Sequence, residues 1–317
     1  MSNSDRGPVS SVVALVNPTS RNGAAMVTAR QAIAALTARG VTVDARSGSS
    51  AADAALIARE AVARTGDPAS GLDAVVVIGG DGTIGPVLAA ARGTQVRVGL
   101  IPAGTGNDHA RALGIPTTDI DGATDIIVAG HTLRCDLARL TVGDRTTTFG
   151  TVAAIGLDAA VTERAVGMTR PRGQSRYALA AIAEIAALRP RRFRVTVDGI
   201  VHEMDLVMAS VGNTPSYGGG MRICPHARID DGLLDVTLVE HTSRLRLLGL
   251  FPTIYRGTHV SRRGVHSLRA STVTIETAEP TPVSADGELL GVTPVTIEID
   301  ASAMDFLSPR STGSPQG

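Results

Sequence analysis

The stretch Ala74-Val75-Val76-Val77-Ile78-Gly79-Gly80-Asp81-Gly82-Thr83 decides the fold. Its run of five apolar residues reads as a strand buried on both faces, the habit of parallel sheets. Glycines end the strand abruptly, and a helix over Pro86–Ala91 follows. The same grammar continues in both directions. Upstream, Val12–Val16 reads as a strand, Ala24–Arg39 as a helix stopped by Gly40, Val41–Ala45 as a second strand and Ala51–Arg64 as a second helix. Downstream come strand Val98–Ile101 and helix Asn107–Leu113. Such alternation predicts an N-terminal doubly wound parallel sheet, α/β in class, covered on both faces.

The pattern changes near residue 134. Strand-like segments then dominate: Asp136–Val142, Thr146–Ala153, Phe193–Val197, Glu203–Val211, Leu233–Val239, Val273–Glu276 and Val295–Ile299. Turn signals such as Asp198-Gly199 and Asp231-Gly232 separate them, which predicts a C-terminal antiparallel β-sandwich. Tyr177–Leu188 is the main helical insertion, and Met304–Leu307 is expected to return and pair with the first domain. The division expected is 1–134 with 301–310 returning, 135–300 as the second domain, and 311–317 as a disordered tail. An active site is expected in the cleft between the domains.

Bulk properties bound the function. The chain has 317 residues and zero net charge, so nothing suggests a protein that coats nucleic acid. All 30 basic residues are arginine. The absence of lysine excludes a Walker A lysine, a protein-kinase strand lysine and a Schiff-base lysine together. Two distant cysteines, Cys135 and Cys224, make neither a disulfide framework nor a metal knot. The polar N-terminus has no export signal, and no apolar run approaches the ~20 residues of a membrane span. A cytoplasmic location is expected, with any lipid substrate reached from the membrane surface.

Three strand-to-helix junctions carry the chemistry: Asn17-Pro18-Thr19-Ser20-Arg21, Gly79-Gly80-Asp81-Gly82-Thr83-Ile84-Gly85-Pro86, and Ala103-Gly104-Thr105-Gly106-Asn107-Asp108. Ligands of parallel sheets bind where strands end. Glycines let a backbone approach a ligand and adopt positive φ, and the free N–H groups of a helix start favour phosphate. Asp81 and Asp108 cannot bind phosphate themselves, so they imply Mg²⁺ or proton transfer nearby. Residues 80–85 also fit the dinucleotide pattern G-x-G-x-x-G, but the next strand ends Leu100-Ile101-Pro102 without the required acid.

Gly79-Gly80-Asp81-Gly82-Thr83 resembles the nucleotide signature shared by diacylglycerol, sphingosine and NAD kinases and phosphofructokinases. Asn17-Pro18-Thr19-Ser20 and Pro102–Asp108 are similar to the two nucleotide loops of the bacterial diacylglycerol kinase and sphingosine kinase family. Tyr217-Gly218-Gly219-Gly220-Met221, then Asp230-Asp231-Gly232, resembles that family's second-domain signature. Asp286-Gly287-Glu288 resembles its late acidic motif. The resemblance implies an ATP- and Mg²⁺-dependent kinase of a lipid alcohol. ATP would lie on residues 17–21, Ser47, 79–86 and Thr105. It implies an acidic network of Asp81, Asp108, Asp136 and Glu288, with Glu288 as general base and Asp81 as its rival. It also implies a structural Mg²⁺ held by the Asp231 carboxylate and the carbonyls of Arg228 and Leu233.

Gly85 and Pro86 stand where the family usually has Asn and Glu, and Arg21 where it often has Gly. The acceptor is open among diacylglycerol, a sphingoid base, a polyprenol and a soluble natural-product alcohol. A silent nucleotide-binding sensor is the reading from another class. A homodimer and a peripheral membrane contact through Arg189–Arg194 also stay open.

Overall fold

The computed structural model describes residues 6–17, 24–168, 174–188 and 190–310. It resolves into two compact units, Met1–Leu137 with Ala301–Gly317, and Ala138–Asp300. The first is built on β1 (Ser11–Val16), β2 (Thr42–Ser47), β3 (Ala74–Gly79) and β4 (Arg97–Pro102), all parallel, in the order β2-β1-β3-β4. Every residue of β3 and β4 is buried, as expected for strands covered on both faces. The register pairs Val16 with Ser47 and with Ile78, and Gly79 with Pro102. All four strands therefore end on one edge.

Helices α1 (Ala24–Ala38), α2 (Ala51–Gly66), α3 (Asp81–Ala91), α4 (Asp108–Ala112) and α5 (Ile120–Ala129) belong to this unit. The expected start of α3 at Pro86 is corrected to Asp81. Gly82 and Gly85 are poor helix formers, but Ile84, Val87, Leu88 and Ala91 recur at helical spacing and are all buried. The Thr83 amide donates to the Gly80 carbonyl at 2.9 Å and closes the first turn. Pro86 consequently lies inside the helix rather than at its first turn. Helix α5 was not anticipated, although its ends are marked: Asp119 caps the Gly122 amide at 3.0 Å, and Gly130 terminates it at φ 75°.

In the second unit, β5 (Thr132–Val142) passes in from the first and pairs with β6 (Arg145–Phe149). Antiparallel strands follow: β7 (Val152–Gly156), β8 (Arg191–Val197), β9 (Ile200–Gly212), β10 (Leu234–Glu240), β11 (Val265–Ala270), β12 (Thr272–Thr277), β13 (Pro282–Ala285), β14 (Glu288–Val292) and β15 (Val295–Leu307). Residues 200–206 of β9 pair with β8, while 208–212 pair with β7 and β10. One long strand thus serves two sets of neighbours around a core that includes Phe149, Ile155, Phe193, Leu206, Val236 and Ile297. The first residues of β15 pair with β12, and its Asp305 and Phe306 pair parallel with Arg97 and Val98 of β4.

Four departures concern this unit, the first being β11, which none of the expected strands covers. The single strand expected over Thr146–Ala153 is two, broken at Gly150-Thr151. Helix α7 (Gln174–Ala187) is joined by α6 (Leu157–Gly167) and α8 (Arg244–Tyr255), both unanticipated. The β13–β14 hairpin was read only as a turn. Its strands are four and five residues long, too short for a periodic signal. The tail 311–317 lies outside the described residues.

Candidate active site

The edge where β1–β4 end gathers the glycine loops. Asn17 directly follows β1, Ser47 ends β2, Gly79–Thr83 follow β3, and Ala103–Asp108 follow β4. Pro18, Thr19, Ser20 and Arg21 lie outside the described residues. A Cβ on Gly80 would stand 2.8 Å from the Gly104 Cα, and one on Gly104 would stand 2.5 Å from the Gly80 Cα. The second and third loops therefore touch backbone to backbone, which is why both positions are glycine.

The expected reason for these glycines is corrected in one respect. None of Gly79, Gly80, Gly82, Gly85 or Gly104 adopts positive φ. The left-handed residue here is Asn107, at φ 56°. Its Oδ1 accepts the Gly104 amide at 3.0 Å and its Nδ2 donates to the Gly104 carbonyl at 3.1 Å, so the side chain closes the loop that positive φ opens. Gly82 and Gly85 face open space, and a Cβ at either would meet nothing within 4 Å. Thr105 is exposed on the same edge, while Ile84 is buried beneath it.

Asp81 opens α3 and reaches α4. Its Oδ1 accepts the His109 amide at 3.2 Å and faces His109 Nδ1 at 3.0 Å. Burial pushes this carboxyl up, but the His109 ring and the His109 and Asp108 amides outweigh it and hold Asp81 below its ordinary value. Asp81 is thus a carboxylate at neutral pH. Asp108 is buried at the start of α4, so the structure brings Asp81 and Asp108 together. His109 was missed. The only available signal was its place immediately after Asp108 in the third loop. Asp136 is placed differently. Its Oδ1 accepts the Ser302 amide at 2.6 Å, and Ser302 precedes the Asp305–Arg97 pair, toward the start of β4 rather than its end.

In the second unit, Glu288 is the exposed first residue of β14. The preceding Asp286 and Gly287 have φ 48° and 80°, the two left-handed residues of a tight hairpin turn. The Asp286 side chain does more than turn the chain. It accepts the Gly150 amide at 2.9 Å, the Thr151 amide at 2.8 Å and the Thr151 hydroxyl at 2.5 Å. Glu288 is thereby tied to the β6–β7 break. Elsewhere in this unit the Tyr217 hydroxyl donates to Asp158 at 2.5 Å. Burial pushes the Asp158 carboxyl up to about 6, with Tyr217 and Ser210 opposing. Asp158, at the start of α6, was also missed, whereas Tyr217 belongs to the glycine motif already singled out.

Comparison with known proteins places both halves. Residues 11–140 match the diacylglycerol kinase catalytic domain, and residues 150–308 match the YegS C-terminal NAD kinase beta sandwich-like domain. A diacylglycerol kinase of Mycobacterium tuberculosis is 45% identical over 96% of this chain and 97% of its own length. The chain belongs to the diacylglycerol kinase family. A diacylglycerol kinase of Bacillus subtilis is 28% identical over 77% of this chain and 78% of its own. A crystal structure of a diacylglycerol kinase from Bacillus anthracis shares the fold, with a TM-score of 0.71 and 21% identity over 96% of this chain and 99% of that one. As a member of this family the protein is an ATP-using kinase, and its activity is directed at lipid.

At the position where the resemblance implies a structural Mg²⁺, the Asp231 carboxylate is already engaged by protein donors. The two Asp231 oxygens accept from the Leu233 amide at 3.2 Å and from the Arg269 guanidinium. Arg228 turns to Asp230 at 3.3 Å. Arg269 also lies 3.5 Å from buried Asp235, so one guanidinium faces both carboxylates. Thermal stability of the free enzyme should therefore be indifferent to Mg²⁺ or EDTA. Arg269→Gln should cost on the order of 1–3 kcal/mol by stranding Asp235. A melting temperature that rises with Mg²⁺ and falls with chelator would restore the metal.

Proposed function

We propose that the enzyme transfers the γ-phosphoryl group of ATP to the free hydroxyl of diacylglycerol, giving phosphatidic acid and ADP. The observation that carries this reading is the 45% identity, over nearly the full length of both chains, to a protein named diacylglycerol kinase. A cavity of about 550 Å³ in the second unit is of mixed character, apolar at Leu157, Ala160, Ala187, Leu188 and Val207 and charged at Glu184, Arg191, Arg192 and Glu279; its apolar part would suit an acyl chain and its arginines a polar headgroup.

In the proposed reaction, residues 17–21, Ser47, 79–86 and Thr105 hold the nucleotide, with backbone amides of the loops and the α3 N-terminus toward its phosphates. The acceptor oxygen bonds to the γ-phosphorus as the bond to the β–γ bridging oxygen breaks, and its electron pair leaves with ADP. Asp81 and Asp108 suit Mg²⁺, which is commonly held by one or two carboxylates plus substrate phosphates and would offset the charge on the transferring group. A carboxylate held below its ordinary pKa is a weak proton acceptor, so Asp81 serves better as an anion than as a base. Glu288 is assigned the hydroxyl proton. Asp136, bonded to the Ser302 amide, is proposed to support this machinery rather than contact substrate.

The test is an assay of the purified chain with labelled ATP against diacylglycerol, sphingosine, a polyprenol and a set of soluble alcohols. Diacylglycerol should be preferred by kcat/KM. Preference for another alcohol would move the acceptor. Nucleotide binding with no transfer to any would revive the silent sensor.

A further inference from the structure

Residues 241–275 contain six arginines and no aspartate or glutamate, in a chain whose net charge is zero. Arg269 is held by Asp231 and Asp235. The other five, Arg244, Arg246, Arg256, Arg262 and Arg263, are exposed, and none has a carboxylate partner among the described residues. Several arginines elsewhere in this unit are paired instead. Arg164 pairs with Glu184, and Arg192 and Arg194 face Glu203 and Asp205. In the basic run around Arg192, Arg192 and Arg194 are therefore compensated, and the densest group of uncompensated arginines lies on α8 and the turn after it.

Helix α8 is also apolar on two sides. Leu247 and Ile254 are buried, with Leu250 and Phe251 packed against the same cluster. Leu245, Leu248, Pro252 and Tyr255 form a second stripe at helical spacing on the opposite side, all exposed, with Leu245 82% exposed. Helix α7 packs against α8 and adds exposed Leu179 and Ile182. An apolar helix face normally has something over it.

We propose that the outer face of α8, continued by α7, is the surface by which this kinase rests on an anionic bilayer. Leu245, Leu248 and Ile182 enter the interface while Arg244 and Arg256, which flank the stripe, and the arginines of the following turn meet lipid phosphates; Arg246 instead donates to the Arg263 carbonyl at 2.8 Å. This deepens the lipid-acceptor reading and rests on it. No helix among the described residues is long and apolar enough to cross a membrane, so the helix lies in the membrane plane. A second copy of the chain is a poorer occupant. A two-fold contact through this face would set the unpaired arginines of one copy against those of the other.

The test uses the full chain and vesicles without acceptor lipid. Wild type should sediment with vesicles containing phosphatidylglycerol, not with pure phosphatidylcholine, and should be released by 0.5 M salt, where screening reaches within about 5 Å. Each of Arg244→Gln, Arg256→Gln and Arg262→Gln should weaken partitioning about 5-fold. Leu245→Glu with Leu248→Glu should weaken it at least about 10-fold. Both positions are solvent-exposed, so the melting temperature should hold. Activity on a water-soluble short-chain acceptor should stay within about two-fold in every variant, since none of these residues touches the glycine loops. If no lipid alcohol is phosphorylated but the vesicle pattern appears, the surface stands and the acceptor reading falls. Partitioning unchanged in both sets of variants overturns the proposal. So does a dimer that the leucine variants dissociate while vesicle binding persists.

Discussion

Asp81→Asn is expected to lower turnover by roughly 10²–10⁴ while leaving the protein folded. Asparagine keeps an oxygen for the His109 amide that Asp81 now accepts at 3.2 Å, but it has no charge to place against the nucleotide. Asp81→Ala removes the acceptor as well, stranding donors on His109, a residue only 1% exposed, and should cost a further 1–3 kcal/mol or so. The two variants thus separate chemistry from structure. A pH profile adds a third readout. The folded pKa of Asp81 lies below its ordinary value, so the group contributes stability that is fully present above the unfolded pKa near 3.8. That contribution is lost as pH falls through the lower, folded value. Chemical denaturation between pH 2 and 5 should therefore show a shallower acid limb in Asp81→Asn than in wild type. Near wild-type turnover in Asp81→Asn would remove the residue from the active site and reassign the second loop.

Glu288→Gln is expected to lose turnover on the same scale, roughly 10²–10⁴, with the KM for ATP little changed, because glutamine keeps the size and hydrogen bonding but cannot take a proton. Glu288 is exposed at the start of β14, so stability should hold. Asp286→Ala is the contrasting variant. It frees the Gly150 amide, the Thr151 amide and the Thr151 hydroxyl at once, and the left-handed turn at φ 48° loses its anchor. A cost of about 2–4 kcal/mol is expected, at the net worth of charge-assisted hydrogen bonds. Turnover should fall too, since the hairpin that carries Glu288 is no longer fixed. Turnover unchanged in Glu288→Gln, or a defect confined to the KM for ATP, would pass the base to Asp81. If Asp286→Ala keeps its melting temperature, the carboxylate is not the anchor described.

The sequence by itself determined the parallel half of the molecule. The unbroken apolar runs of β1 and β3 are local signals, as are the glycines that follow the strands, and strands buried on both faces admit few other readings. Placement of the glycine loops on one edge follows from parallel topology alone. After residue 134 the longer strands were legible from alternation, while β11 and the short β13–β14 hairpin were not. Only the tertiary structure decided the rest. Helix α3 begins at Asp81 because Ile84, Val87 and Leu88 have a core to enter, which outweighs the weak propensity of Gly82 and Gly85. Gly80 and Gly104 are required by each other, a steric relation between segments 24 residues apart. Asp286 reads locally as the first residue of an Asp-Gly turn, yet its three donors come from residues more than 130 positions earlier. The resemblance makes Asp231 a metal ligand, whereas the structure sets Arg269 upon it. Periodicity records which face of an element is buried. The partner of a polar side chain is set by distant chain brought alongside, and no short window of sequence contains it.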